Sequence, residues 1–226
     1  MGTELNNDTI TTAYAHWAPI YDLVFGAVFR QARCAAIAAA ERTGGRVLEV
    51  GVGTGISLPD YARSTQLVGV DLSEPMLRKA HKRIHELDLC GVEGLAVMDA
   101  ERMAFPDGSF DVIVAQLVVT TVPNPEATLD EFVRVLKPGG EIVLVTRVGA
   151  DKGLRRAVEQ LLTPITRLLG WRLEFPWGRY ARWVEQRKGL RVIERSAMPP
   201  FGHFSLVRFG KSIEIPAIQE DYLEVA

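Results

Sequence analysis

The 226 residues suffice for one α/β unit with a modest appendage, and 47% hydrophobic residues can fill a core, which excludes an extended disordered chain. A formal net charge of −2 offers no overall basic excess for coating nucleic acid, and the two cysteines, Cys34 and Cys90, lack the spacing of a disulfide framework or a zinc site. The N-terminus has neither the basic start nor the apolar run of a secretion signal, and the uncharged stretch from Val112 to Pro125 is shorter than the roughly 20 apolar residues of a membrane span, so a cytoplasmic chain with at most peripheral membrane contact is expected.

In chain order, Thr9 to Arg42 reads as helical, broken at Pro19, with aromatic and aliphatic residues concentrated from Trp17 to Phe29. From Arg46 onward, β-branched runs alternate with amphipathic helical patterns, the mark of repeated βαβ units and a mainly parallel sheet. The expected strands are Arg46 to Val50, Gln66 to Asp71, Gly94 to Met98, Phe110 to Ala115 and Glu141 to Thr146, each with a buried-strand pattern. A helix begins at Ser73 with Pro75 in its first turn and Met76, Leu77, Ala80, Ile84 and Leu87 along one face. Another spans Pro125 to Leu136 and is stopped by Lys137-Pro138-Gly139-Gly140. Further on come a helix near Leu154 to Leu169, an aromatic stretch from Trp171 to Trp183, and two closing strands, Leu190 to Ala197 and Phe204 to Phe209, turned at Pro199-Pro200 and suited to an antiparallel edge.

The string Val47-Leu48-Glu49-Val50-Gly51-Val52-Gly53-Thr54-Gly55 puts three alternate glycines where a buried strand turns toward a helix. Glycine there opens positive φ and lets backbone amides approach a ligand closely. Asp71 ends the next strand 20 positions after Gly51, where a carboxylate can accept hydrogen bonds from both hydroxyls of a ribose, or serve the N-terminus of the helix at Ser73. A dinucleotide fingerprint would need glycine at 56, where Ile56 stands.

The string instead resembles the E-x-G-x-G-x-G motif of class I S-adenosylmethionine-dependent methyltransferases, and Asp71, Asp99 and Leu136-Lys137-Pro138-Gly139-Gly140 recur in that family's order, covering roughly Arg46 to Arg147. The resemblance implies a Rossmann-like, mainly parallel seven-stranded sheet with an antiparallel edge strand, and S-adenosylmethionine as cofactor with S-adenosylhomocysteine as product. It implies that Glu49 supports the methionine end, Gly51, Gly53 and Thr54 lie beneath it, Asp71 and Leu72 hold the ribose, and Asp99 and Ala100 receive the adenine edge. Met76 packs on adenine or simply fills the core, and Gln116 and Leu117 line the methionyl side unless Gln116 only satisfies backbone groups.

Methyl transfer requires a nucleophile in line with the methyl–sulfonium bond and needs no covalent enzyme intermediate, so the segments flanking the core reveal the acceptor. Tyr14 and Tyr21 lie seven residues apart in Ala13 to Asp22, where their phenols either orient an amine, with Tyr21 also contacting the cofactor, or pack at an interface. Phe25, Val28 and Phe29 with Arg30 and Arg33 suit a helix at a membrane surface, or one docked on the protein's own sheet. From Asp151 to Arg195 eleven Lys or Arg face five Asp or Glu, interleaved with Trp171, Phe175, Trp177, Tyr180 and Trp183, a pairing that favours lipid over RNA. Arg147 and Arg179 are the candidates for a lipid phosphate, with pairing to surface carboxylates as the alternative for each, and Tyr180 stands beside them.

Tyr14-x-x-Trp17-Ala18-Pro19-x-Tyr21-Asp22, Arg147 to Ala150, and Gly170-Trp171-Arg172-x-Glu174-Phe175-Pro176-Trp177 resemble bacterial phosphatidylethanolamine N-methyltransferases. That implies successive methylation of the ethanolamine amine toward phosphatidylcholine, a phospholipid partner at the inner face of the cell membrane, no nucleic acid partner, and one domain of residues 1–226. Within it, 1–45 form a lid or membrane contact, 46–148 the cofactor core, and 149–226 the substrate-side helices and closing strands, in a chain read as a monomer. Related ubiquinone and menaquinone C-methyltransferases share the Tyr-rich start, so a quinone-type acceptor is the alternative, and a cofactor-binding membrane scaffold without turnover is a further one.

Overall fold

The computed structural model describes residues 29–148, 176–199 and 204–213. Its elements run α1 (Arg30–Thr43), β1 (Arg46–Val50), a 3-10 turn (Leu58–Asp60), β2 (Gln66–Asp71), α2 (Glu74–Glu86), β3 (Val92–Val97), β4 (Phe110–Gln116), α3 (Pro125–Val135), β5 (Leu136–Arg147), α4 (Trp177–Glu185), β6 (Leu190–Met198) and β7 (Phe204–Lys211). The strands form one seven-stranded sheet in the order β3-β2-β1-β4-β5-β7-β6. All pairings from β3 to β5 are parallel, and β7 runs against both β5 and β6, which makes the antiparallel edge that the two closing strands foreshadow.

Strand alternation builds two cores on the two faces of this sheet. Val47 of β1, Val112 and Val114 of β4, and Val143 and Val145 of β5 meet the alanine face of α1 and Leu77 and Ala80 of α2. Leu48, Ile113, Ala115, Ile142 and Leu144 point the other way, onto Leu129 and Phe132 of α3 and Tyr180 and Trp183 of α4. With roughly 25 cal/mol per Å² of apolar surface removed from water, these two layers are the main term holding the sheet flat between its helices.

Two expectations about the sheet are corrected. β3 is not a buried strand: it pairs only with β2, its residues are all half-buried or exposed, and Val97 is 53% exposed. An apolar run does not reveal whether a strand has one neighbour or two. The strand expected from Glu141 opens earlier: the Lys137 to Gly140 segment that stops α3 is already the irregular start of β5, since Leu136 pairs with Phe110 before the register shifts to Val112–Glu141. The expected helix near Leu154 to Leu169 and most of the Thr9 to Arg42 helix lie outside the described residues.

Candidate active site

The carboxyl ends of β1, β2 and β4 open into one cavity, at the point where the strand order reverses from β1–β2 to β1–β4. Glu49, Gly51, Gly53, Thr54, Asp71, Leu72, Met76, Asp99, Ala100, Gln116 and Leu117 all line it, so every described residue expected to hold the cofactor is placed in the same space. Tyr14 and Tyr21 lie outside the described residues.

The turn after β1 is built as its glycines require. Gly51, Gly53 and Gly55 have φ of +73°, +56° and +72°, and a Cβ at Gly51 would stand 2.3 Å from Val118 Cγ2. The turn is held to β2 through Asp71: the Gly53 N–H donates to its Oδ2 at 2.8 Å, and the Ser73 N–H donates to its Oδ1 at 2.8 Å. Asp71 therefore does take a backbone N–H at the start of α2, yet each oxygen keeps a lone pair for an incoming hydroxyl. Burial raises its pKa against the pull of these amides.

Below the turn, Glu49 is 2% exposed. Its Oε1 accepts from Ser57 Oγ at 2.6 Å and from Gln116 Nε2 at 3.1 Å, so Gln116 serves a side chain rather than backbone groups. Its Oε2 is buried without a hydrogen-bond partner, as is the neighbouring Tyr61 hydroxyl. Loss of hydration pushes the Glu49 carboxyl up to about 7, and Ser57, the nearby Tyr61 hydroxyl, Gln116 and the charge of Arg33 oppose that rise. At the opposite wall Leu117 holds a φ of +63°, a conformation costly for a side chain with Cβ, and its N–H donates to Val145 O at 2.7 Å.

Sequence reasoning missed several lining residues. Arg33, read as part of a membrane-facing segment, is instead 7% exposed, lines the cavity and donates from Nε to Asp60 Oδ2 at 2.6 Å. The clue was available: Arg33 follows Ala32 on a face continued by Ala36, Ala39 and Ala40, small residues that let the helix lie close to the sheet. Phe29 also lines the cavity and packs edge-on against Phe204, ring centroids 4.6 Å apart, so this end of the helix docks on the protein's own sheet. Ser57, which lines the cavity, and Tyr61, which lies behind Glu49 in the core, carried no recognisable signal, because their importance comes only from contacts with Glu49.

The substrate side divides. Arg147, at the end of β5, lies over the Phe204 ring at 5.5 Å, which joins it through Phe29 to the cavity rim. Arg179 and Tyr180, expected to bind substrate, do not line the cavity. Arg179 donates to both oxygens of Glu126, at 2.8 and 2.6 Å, so the surface-pairing alternative is the one observed. Tyr180 is 0% exposed, its ring lies against Phe209, and its hydroxyl shares a 2.8 Å hydrogen bond with Thr146. It is a core residue.

Residues 48–144 match the family model described as a methyltransferase domain. The chain is 41% identical over 202 residues to a phosphatidylethanolamine N-methyltransferase of Cereibacter sphaeroides, covering 89% of this chain and 97% of that protein. A demethylmenaquinone methyltransferase of Thermus thermophilus is 34% identical over 62% of this chain and 66% of its own length. Among solved structures, a SAM-dependent methyltransferase of Thermotoga maritima superposes with a TM-score of 0.65 at 21% identity, over 89% of this chain and 99% of that one.

The residues present fit S-adenosylmethionine. The glycine turn leaves a cradle that a Cβ would fill, Asp71 keeps acceptor capacity for a ribose, and Glu49 sets a buried carboxyl with an incompletely bonded oxygen in the cavity wall. With the sheet order, the turn and the relatives in agreement, the chain belongs to the class I S-adenosylmethionine-dependent methyltransferases.

Proposed function

We propose that this enzyme methylates the amine of phosphatidylethanolamine and of its monomethyl and dimethyl intermediates, giving phosphatidylcholine. The observation that carries the reading is the similarity to the Cereibacter sphaeroides protein, 97% of whose length is matched at 41% identity, whereas a ubiquinone/menaquinone C-methyltransferase of Cupriavidus taiwanensis is matched over 80% of its length at 28%. Acceptor choice in this fold lies in the segments around the cofactor core, and the longer match takes them in.

The bound cofactor supplies a methyl group activated on sulfonium. The amine must arrive neutral, its proton having passed to water, so that its lone pair forms the new C–N bond as the C–S bond breaks. Tyr14 and Tyr21 orient the amine, and Tyr21 also meets the cofactor's amino-acid end. Arg147 takes the headgroup phosphate at the rim, a role supported by its place on Phe204 beside Phe29. Glu49, Gly51, Gly53, Thr54, Asp71, Leu72, Met76, Asp99, Ala100, Gln116 and Leu117 surround the cofactor. Among the described residues no helix is long and apolar enough to cross a membrane. In this reading the enzyme meets its lipid peripherally, at the inner face of the cell membrane, where the headgroup amine is reached from water.

The test is incubation of the full chain with methyl-labelled cofactor and vesicles containing phosphatidylethanolamine, beside a parallel incubation with a demethylated quinone. Label in mono-, di- and trimethylated lipid is the expected result. Label in the quinone alone replaces this reading with the C-methyltransferase one.

A further inference from the structure

Glu49 stands at the cavity floor with its two oxygens treated unequally. Oε1 is held by Ser57 and Gln116, while Oε2 is buried and unpartnered. Beside it the Tyr61 hydroxyl is also buried; it makes no well-aligned hydrogen bond yet lies near enough to favour the ionised carboxylate, and such incomplete pairing of two buried polar atoms is costly. Among the described residues, the charged groups acting on this cluster come from three elements. Arg33 approaches from α1, partly neutralised by Asp60, and Glu41 of α1 acts on Tyr61. Asp71 lines the same cavity from β2, each of its oxygens taking one backbone amide.

Such a carboxyl is poised between its two protonation states near neutral pH, because hydration is lost while Ser57, Tyr61, Gln116 and Arg33 restore only part of what it supplied. A charge brought into the cavity decides the balance. S-Adenosylmethionine and its demethylated product carry the same ammonium, carboxylate, ribose and adenine, and differ by one positive charge at sulfur.

We propose that Glu49 is the residue that discriminates cofactor from product by that charge, its ionised form favouring the sulfonium and its protonated form tolerating the thioether. When the cofactor enters, the proton on Glu49 leaves for solvent. With the thioether product in its place, the cavity would hold one positive charge fewer, and Glu49 would take a proton back from solvent. The preference for cofactor over product therefore climbs as pH rises through neutrality. This inference rests on the cofactor alone and is independent of the methyl acceptor.

The experiment is calorimetric titration of the full chain with S-adenosylmethionine and, separately, S-adenosylhomocysteine, between pH 6 and pH 8.5, in phosphate and in Tris. At pH 7 the cofactor should release more protons than the product does. The ratio of the two affinities should rise roughly five- to tenfold across the range, the effect of up to about one pKa unit of coupling. Glu49→Gln should flatten that rise, Tyr61→Phe should move it to higher pH because Tyr61 helps hold Glu49 ionised, and Asp71→Asn should weaken both ligands while leaving the rise in place. A ratio that stays constant in the unmodified protein, or a rise that survives Glu49→Gln, overturns the proposal. Should Glu49→Gln fail to fold by circular dichroism, an unmoved midpoint in Tyr61→Phe overturns it equally.

Discussion

The crevice between β1 and β2 and the corner between α4 and β7 are made of the same residue types, acids, tyrosines and arginines, yet they do opposite things. In the corner, polar atoms have found partners within the fold: Tyr180 with Thr146, Arg179 with Glu126, and Trp183 and Arg187 with Asp130. In the crevice, Glu49 Oε2 and the Tyr61 hydroxyl are left buried without a well-formed hydrogen bond, and each Asp71 oxygen takes a single backbone amide. Satisfied polarity fixes a structure, and unsatisfied polarity around a cavity prepares it for a ligand. The difference teaches that side-chain identity says less about a site than what each polar atom still lacks.

The sharpest test of the corner is Trp183→Ala. Trp183 is 2% exposed, packs edge-on against Phe209 and donates to Asp130 Oδ1 at 2.9 Å, so truncation should cost about 3–5 kcal/mol in denaturant unfolding. Cofactor affinity per folded molecule should stay unchanged; a lost affinity would show that the corner belongs to the site.

In the crevice, Glu49→Gln should act on stability with the opposite sign. The folded carboxyl is raised to about 7, above its unfolded value, so the folded state binds more protons in between and the unmodified ligand-free protein loses stability as pH rises from about 4.5 through 7. Above that window the glutamine variant should be more stable by up to about 3 kcal/mol, and below it the two should agree. Unfolding curves at pH 4.5 and 8 decide, and a variant less stable at pH 8 would mean that the ionised carboxylate is well paired after all.

Asp71→Ala should weaken S-adenosylmethionine binding by about 2 kcal/mol, roughly thirtyfold, as expected for lost hydrogen bonds to a charged acceptor. Equilibrium titration checks this, and unchanged affinity would remove Asp71 from the site. The smallest effect is expected for Arg179→Ala. Its pair with Glu126 is partly exposed, so removal should cost at most about 1 kcal/mol and leave lipid methylation intact. A selective loss of lipid turnover would return Arg179 to the substrate side.

Much of the sheet and the cofactor crevice was legible because its signals are local. Glycines at 51, 53 and 55 and an acid at 71 declare a turn and its neighbour wherever the rest of the chain goes. Tyr180 was misread although its own helix carried the answer: Trp177, Tyr180 and Trp183 recur every three residues, the spacing of a face packed on a core, with Arg179 and Arg182 pointing elsewhere. Composition drew attention to the mixture of aromatics and arginines, and periodicity would have sorted them. Arg33, Ser57 and Tyr61 depended on contacts across the fold, between Arg33 and Asp60 and between Ser57 and Glu49, that no short window contains. The exposure of β3 likewise follows from its position in the strand order rather than from its residues.

The passage from α3 to β5 has one more consequence. Val135 ends the helix and Leu136 opens the strand, so no slack lies between them, and both residues are fully buried. Inserted residues at this junction have nowhere to bulge, and cutting the chain there to make new termini would bury two charged ends in the core. Engineers wishing to graft a tag or permute this enzyme should avoid that seam and choose the exposed bend near Asp107 and Gly108, where the backbone already turns in solvent.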